Sequence, residues 1–356
     1  MEEIKMASIK DVAELAKVSI STVSLAINYP ERVREGTKTK IFDAMKKLHY
    51  VPSSSSKSAL EQTQKRNSVA LITGEIFGPY YYEVIRGIAE TLALNNLEMV
   101  MLSGTSSLRR NFCNSIENPA FCGIILTQLA DLTDEDLARA KEKNIPIVMC
   151  HSEVTMEGLG SVNVDNRNIG KMIANHLMCI GYEEIGILGK RATGTQVRAE
   201  VFAHTLKHSG VAIPPPWDIP CDLDDKGGFT AMQELLASGQ ALPRAFFCLN
   251  DEVALGAMQA LRAAGIQVPQ QMAVIGCDDI PVSKFASPPL STIVMPKFEM
   301  GLMAVGLLLR QMSGKPPENV VLNGKLQIRE SCGYNEWRRH RLESAKAKQI
   351  RSEEKP

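Results

Sequence analysis

The sequence predicts an α/β protein, with a helix-turn-helix head in front of a larger two-lobed body of parallel sheets. Three observations carry this prediction. The first sixty residues place apolar side chains at helical spacing and hold no β-rich run. From Ser68 onward, short β-rich apolar runs alternate with amphipathic helical stretches. That alternation starts afresh at Val162, which implies two sheets rather than one. At 356 residues the chain also exceeds what one ordinary core supports.

The head reads as three short helices. Ser8 is an N-cap candidate with Asp11 three residues on, followed by Ile9, Val12, Ala13 and Ala16 on one face. Lys17-Val18 makes a brief turn. Ser19 caps a second helix that turns Val23, Ala26 and Ile27 inward and ends at Asn28 and Pro30. A third begins near Thr37 and buries Ile41, Ala44, Met45 and Leu48. A generic three-helix bundle would show the same periodicity. The tight turn and the polar outer face of the second helix, Ser21, Thr22 and Ser24, favour a DNA-reading helix. Such a helix presents short hydrogen-bonding side chains to base edges.

Charge agrees with that reading. Residues 1–66 carry 12 Lys/Arg against 8 Asp/Glu, and residues 67–337 carry 21 against 29, so a basic head precedes an acidic body. The tail 338–356 is basic again, 7 against 3. No apolar run approaches the ~20 residues of a membrane span. The N-terminus lacks an export-signal core, so a cytoplasmic location is expected. The eight cysteines are scattered without C-x-x-C or ligand spacing, and neither a disulfide framework nor a metal is expected.

Ile9-Lys10-Asp11-Val12-Ala13, Val18-Ser19-Ile20-Ser21-Thr22-Val23-Ser24 and Leu48-His49-Tyr50-Val51-Pro52 resemble the LacI/GalR family of repressors. The match runs to about Gly333, and the string Ser21–Leu25 is similar to the maltose-regulon subgroup of that family. The resemblance implies that Ile20, Ser21 and Leu25 read bases. Leu25 stands where relatives often carry Arg or His, so contact with a thymine methyl is the role its chemistry allows. The candidate DNA-binding set is Ser19, Ile20, Ser21, Thr22, Ser24, Leu25 and Asn28, with Lys57 and Leu60 in the linker.

Residues 53–67, opening on Ser53 to Ser56, read as a tether. The resemblance adds a hinge helix that folds on operator DNA and wedges a leucine into the minor groove. Counted from Pro52 that leucine falls at Ala59, whereas Leu60 is the residue present, and Lys57 sits where a phosphate or groove contact is expected.

In the body, strands are expected at Val69–Ile72, Met99–Leu102, Gly123–Leu126, Ile147–Met149, Ile185–Leu188, Ala245–Cys248 and Ala273–Ile275. Helices are expected over Tyr80–Asn95 and Thr133–Lys143, and from about Arg167, Val197, Gly228 and Asp251. The resemblance implies a periplasmic-binding-protein-like pair of lobes. One spans 68–162 with 295–326, the other 163–294 with 327–340, after a head at 1–52 and before a polar tail at 341–356.

Ligands in open α/β sheets bind beyond the C-terminal strand ends. Arg198, Asn250 and Asp278 follow such ends, and the resemblance places an effector there. A guanidinium donates to hydroxyl oxygens, a carboxylate accepts from hydroxyls, and an amide does both, so the set suits a polyol. Tyr80 and Tyr81 match relatives' residues that line the cleft from the other lobe, and His151 stands where relatives often place Asp. A sugar or sugar derivative is the expected effector, with a nucleoside as the alternative. The residues alone leave open that Asp278 caps a loop, that Asn250 caps a helix and that Arg198 forms an interface salt bridge.

An enzyme is disfavoured. Gly158-Leu159-Gly160 lacks the last glycine of a dinucleotide fingerprint, Gly189-Lys190 is followed by Arg191, and G-x-S-x-G and H-E-x-x-H are absent. No cofactor is expected. A periplasmic carrier would suit the body but not the head. One helix-turn-helix makes few base contacts, so a homodimer on double-stranded operator DNA is expected. The tail holds only Leu342 and Ile350 as large apolar residues, too few for a tetramerising zipper.

Overall fold

Asp11 starts the first helix by accepting both the N–H and the hydroxyl of Ser8, each at 2.7 Å. The structure is a computed structural model that describes residues 8–28, 32–48, 67–74, 79–127, 132–151, 158–192, 194–339 and 341–342. It divides into two units, Met1–Lys65 and Arg66–Pro356. The first unit holds α1 (Ile9–Ala16), α2 (Ile20–Asn28) and α3 (Glu35–Lys47). Lys17 takes a left-handed φ of 55° that stops α1, and the Val18 N–H returns to the Ala13 carbonyl at 3.0 Å. Ser19 Oγ accepts the Thr22 N–H at 3.1 Å and opens α2. Val12, Ala13, Ala16, Val23, Ala26, Ile41 and Ala44 form the head's core, with Met45 and Leu48 packed against it. The third helix starts earlier than the expected Thr37, and the side chain of Ile27 lies outside the described residues.

The second unit runs β1 (Ser68–Thr73), α4 (Pro79–Leu94), β2 (Glu98–Ser103), α5 (Leu108–Glu117), β3 (Phe121–Leu126), α6 (Asp134–Glu142), β4 (Ile147–Cys150) and β5 (Gly160–Val164). It continues through α7 (Asn166–Cys179), β6 (Ile185–Leu188), α8 (Thr195–His208), β7 (Asp218–Ile219), α9 (Asp225–Ala237), β8 (Ala245–Cys248), α10 (Asp251–Ala263) and β9 (Ala273–Ile275). It ends with β10 (Thr292–Val294), α11 (Lys297–Met312), β11 (Asn319–Leu322) and β12 (Lys325–Gln327).

Two parallel sheets result. One has the order β11-β5-β4-β3-β1-β2, the other β7-β6-β8-β9. In both, the first strand in sequence lies inside and the chain winds outward on each side. This creates a switch point between β1 and β3 and another between β6 and β8. β1 is buried along its whole length, as a strand covered on both faces must be, whereas edge strand β2 holds only exposed and half-buried residues.

The chain passes from the first sheet to the second after β5 and returns into α11, which packs on α4 and on β3, β4 and β5. It crosses once more from β11 to β12, which pairs antiparallel with β10. A continuous apolar core joins the sheets through Ile169, Ile173, Ile293, Met295 and Met300. α4 and α11 touch backbone to backbone, since a Cβ on Gly87 would fall 2.3 Å from the Phe298 carbonyl oxygen. Among the described residues, no helix is long and apolar enough to cross a membrane.

Candidate functional site

In the head, α2 turns its apolar face inward and leaves a mixed face outside. Ser19, Ile20, Ser21 and Leu25 are exposed, Ile20 at 43% and Leu25 at 36%, and Thr22 and Ser24 are half-buried. Leu15 and Phe42 of the same unit are exposed as well, so apolar exposure alone does not set α2 apart. Ser19 Oγ lies 2.7 Å from both Ser21 Oγ and Thr22 Oγ1, so the leading turn of α2 carries a cluster of hydroxyls. Asn28 ends α2, and its side chain lies outside the described residues, as do Lys57 and Leu60.

The second candidate site lies in the other unit, where strands of both sheets end. Arg198, on the first turns of α8, is buried and gathers the strand ends of the second sheet. Its Nε donates to Asn166 Oδ1 at 2.9 Å and to the Gly194 carbonyl at 3.2 Å. Its Nη1 donates to the Leu249 carbonyl at 3.1 Å and to Cys277 Sγ at 2.8 Å. Asp278 Oδ1 lies 3.9 Å from the same Nη1. Burial pushes the Asp278 carboxyl up to about 8 against the pull of Arg198, so at neutral pH it is largely protonated.

Asn250 serves as the N-cap of α10. Its Oδ1 accepts the Val253 N–H at 2.9 Å, and its amide donates to the Leu223 carbonyl at 2.9 Å. The helix-capping role is thus the one its bonds display, with one amide N–H remaining for a ligand.

Tyr80, Tyr81 and His151 come together on the side of the first sheet. The Tyr80 hydroxyl lies 3.0 Å from His151 Nδ1 and 3.5 Å from Met300 Sδ. Tyr80 and His151 ring centres are 4.8 Å apart, and Tyr81 meets Tyr80 edge-on at 5.4 Å. His151 follows β4 with a left-handed φ of 68°. Burial, aided by the Arg198 charge, lowers its imidazole to about 4, so the ring is neutral at physiological pH. Burial raises the Tyr81 phenol to about 12. The group offers an aromatic wall and neutral hydrogen-bonding atoms, opposite the guanidinium and carboxyl of the second sheet.

Sequence reasoning missed the groups that hold this site. Asp251, fully buried at the start of α10, accepts the Ile280 N–H at 3.0 Å and the Ser283 hydroxyl at 2.6 Å, and also the Thr292 hydroxyl. A Cβ on Gly276 would fall 2.3 Å from Asp251 Oδ1, so glycine there makes room for the carboxylate. Arg329 pairs with the Asp279 carboxylate at 2.6 Å. Lys297, also buried, donates to the carbonyls of Asp278 and Asp279. The adjacency of Asn250 and Asp251 was the only visible hint, because every other partner is remote in sequence. All eight cysteines are free.

A helix-turn-helix unit joined to a body of two parallel sheets, with polar groups gathered at the strand ends, defines a DNA-binding regulator with an effector-binding domain. Comparison with known proteins agrees. Residues 8–53 match the model for bacterial regulatory proteins of the lacI family, and residues 174–332 match a periplasmic binding protein-like domain. The chain belongs to the lacI family of transcriptional regulators.

It is 30% identical over 318 residues to the HTH-type transcriptional repressor CytR of Escherichia coli K12, covering 87% of this chain and 91% of that protein. It is 31% identical over 333 residues to the HTH-type transcriptional repressor PurR of Histophilus somni, covering 92% and 99%. Among solved structures, a complex of the transcriptional regulator CelR with cellobiose superposes with a TM-score of 0.67 at 26% identity, covering 91% and 99%. These relatives are transcriptional regulators, not enzymes.

Proposed function

We propose that this regulator is a cytoplasmic homodimeric repressor whose grip on operator DNA is set by a sugar or sugar derivative bound between the two sheets. The observation that carries the effector reading is the convergence of Arg198, Asp278 and Asn250 at the strand ends of one sheet, with Tyr80, Tyr81 and His151 on the side of the other. Arg198 and Asp278 bond vicinal hydroxyls, the spare amide N–H of Asn250 adds a donor, and the tyrosines pack against the ring. The similarity to a regulator that binds cellobiose supports a carbohydrate.

On DNA, Ser19, Ile20, Ser21, Thr22, Ser24, Leu25 and Asn28 meet the major groove, with Ile20 and Leu25 against thymine methyls. Lys57 and Leu60 act in the hinge, Leu60 as a minor-groove wedge. The domain frame remains a head at 1–52, a hinge at 53–67, a body at 68–340 and a polar tail. Ligand-driven closure of the lobes alters head spacing. A coupling of ~1–3 kcal/mol changes operator affinity by roughly 5- to 150-fold.

A nucleoside is the second reading. The neutral His151 ring and the aromatic wall favour it, since a base offers a stacking face and neutral hydrogen-bonding edges. A thermal-shift screen of the full chain against sugars, sugar phosphates and nucleosides separates the two. Stabilisation by a sugar that is lost in Arg198→Ala supports the first reading. Stabilisation by nucleosides alone replaces it with the second.

A further inference from the structure

We propose that Lys297 is a positioning residue of the effector cleft. From the first turn of α11 its ammonium fixes the backbone of the Asp278–Asp279 loop, which supplies the cleft's carboxyl group. The proposal rests on the effector reading above.

The loop is unusual. Asp278 and Asp279 have φ values of 129° and 50°, a region that residues with side chains seldom occupy, and they occupy it consecutively. Such a turn persists only where its surroundings over-determine it. Its carbonyls converge on the Lys297 ammonium, that of Asp279 at 3.0 Å. Other anchors come from the second sheet and its connections. Asp251 accepts the Ile280 N–H, Asp278 N–H reaches the Ile293 carbonyl at 3.0 Å, and Arg329 pairs with Asp279.

Lys297 differs in origin, since its helix packs on α4 and on the strands of the first sheet. The ammonium also lies 5.9 Å from the centre of the Tyr80 ring. The close backbone contact of α4 with α11 at Gly87 ties the helix of Tyr80 to that of Lys297. One buried cation therefore registers Asp278 on one side against Tyr80 on the other. A neutral side chain of equal length would fill the space and take this donor from the buried Asp278 carbonyl and the part-buried Asp279 carbonyl.

The test uses the full chain without ligand, by hydrogen exchange read by mass spectrometry. Lys297→Met keeps the apolar stem and removes the donors, and Lys297→Arg keeps donors. In K297M the amides of Asp278, Asp279 and Ile280 should exchange at least about tenfold faster while β8 and α10 stay unchanged, and K297R should stay within about threefold of wild type. Unaltered exchange in K297M overturns the proposal. So does equal acceleration in both variants, which would make the role one of packing.

Should the variants not fold, reductive methylation of the wild-type chain decides. Lys297 should react at least about a hundredfold more slowly than exposed Lys315, and equal rates overturn the proposal. The effector reading fails separately. If wild type and Arg198→Ala shift alike with every sugar and nucleoside tested, that reading is lost, whatever the exchange data say of Lys297.

Discussion

The proposed operator-reading face of the head and the proposed effector cleft of the body treat chemistry in opposite ways. On α2, Ile20 and Leu25 stand in water with hydroxyls between them, and folding of the head does not use them. In the cleft, Arg198, Asp251, Asp278 and Lys297 are buried; Arg198, Asp251 and Lys297 bond backbone groups, and Asp278 lies 3.9 Å from Arg198. A surface that must meet a separate polymer keeps its reading groups outside the core. A site that must report on a small molecule builds them into it. Mutations should therefore separate: those of the exposed Ile20 and Leu25 alter recognition and spare stability, while those in the cleft alter both.

The largest effect is expected from Arg198→Ala. It takes a donor from the carbonyls of Gly194 and Leu249, and should cost ~3 kcal/mol of unfolding free energy. Urea unfolding measures this, and the ligand response should vanish in the same variant. A loss under ~1 kcal/mol would break the contrast between the two regions.

Next comes pH. The Asp278 carboxyl stands at about 8 when folded, against an ordinary value of 3.8, so stability is lost as pH rises from the lower value through the higher. His151 stands at about 4 against 6.5, so its contribution is lost as pH falls through that interval. Above about pH 7.5 Asp278 dominates of these two, with a slope of ~1 kcal/mol per pH unit near pH 7.5. Asp278→Asn should flatten that stretch of the melting-temperature profile.

Leu25→Ala should weaken binding to a selected operator by ~1–2 kcal/mol and leave the melting temperature alone, as fluorescence anisotropy and calorimetry can show. Ser19→Ala removes the cap on Thr22 and should cost the head ~1 kcal/mol, seen as loss of helical circular dichroism at lower denaturant than in the wild type.

Much of this architecture was legible in the chain. Ser8 with Asp11, and Ser19 with Thr22, are local signals that fix helix starts, and the structure uses both. The strands Ile185–Leu188, Ala245–Cys248 and Ala273–Ile275 coincide with apolar runs that a doubly covered sheet demands. Short or polar elements escaped. β7 has two residues, α5 is rich in Arg and Asn, and β10 and β12 exist only through each other.

The site divides in the same way. Asp278 closely follows a strand end, whereas Arg198 opens a helix ten residues beyond one and stood out through the family resemblance. Asp251, Lys297 and Arg329 matter through partners 18 to 50 residues away, which no local pattern encodes. Asn250 shows the converse, since the cap that makes it visible in sequence is the bond that occupies it.

The central claim is that a small molecule in the cleft changes how strongly the head holds DNA. It is tested most directly on operator duplexes selected from a random library by the wild-type chain. Anisotropy titrations with and without each member of a sugar and nucleoside panel, run on wild type and Arg198→Ala, give the answer. The account predicts that at least one compound shifts wild-type affinity by about fivefold or more and leaves Arg198→Ala unmoved. An equal shift in both proteins, or no selected duplex at all, would contradict it.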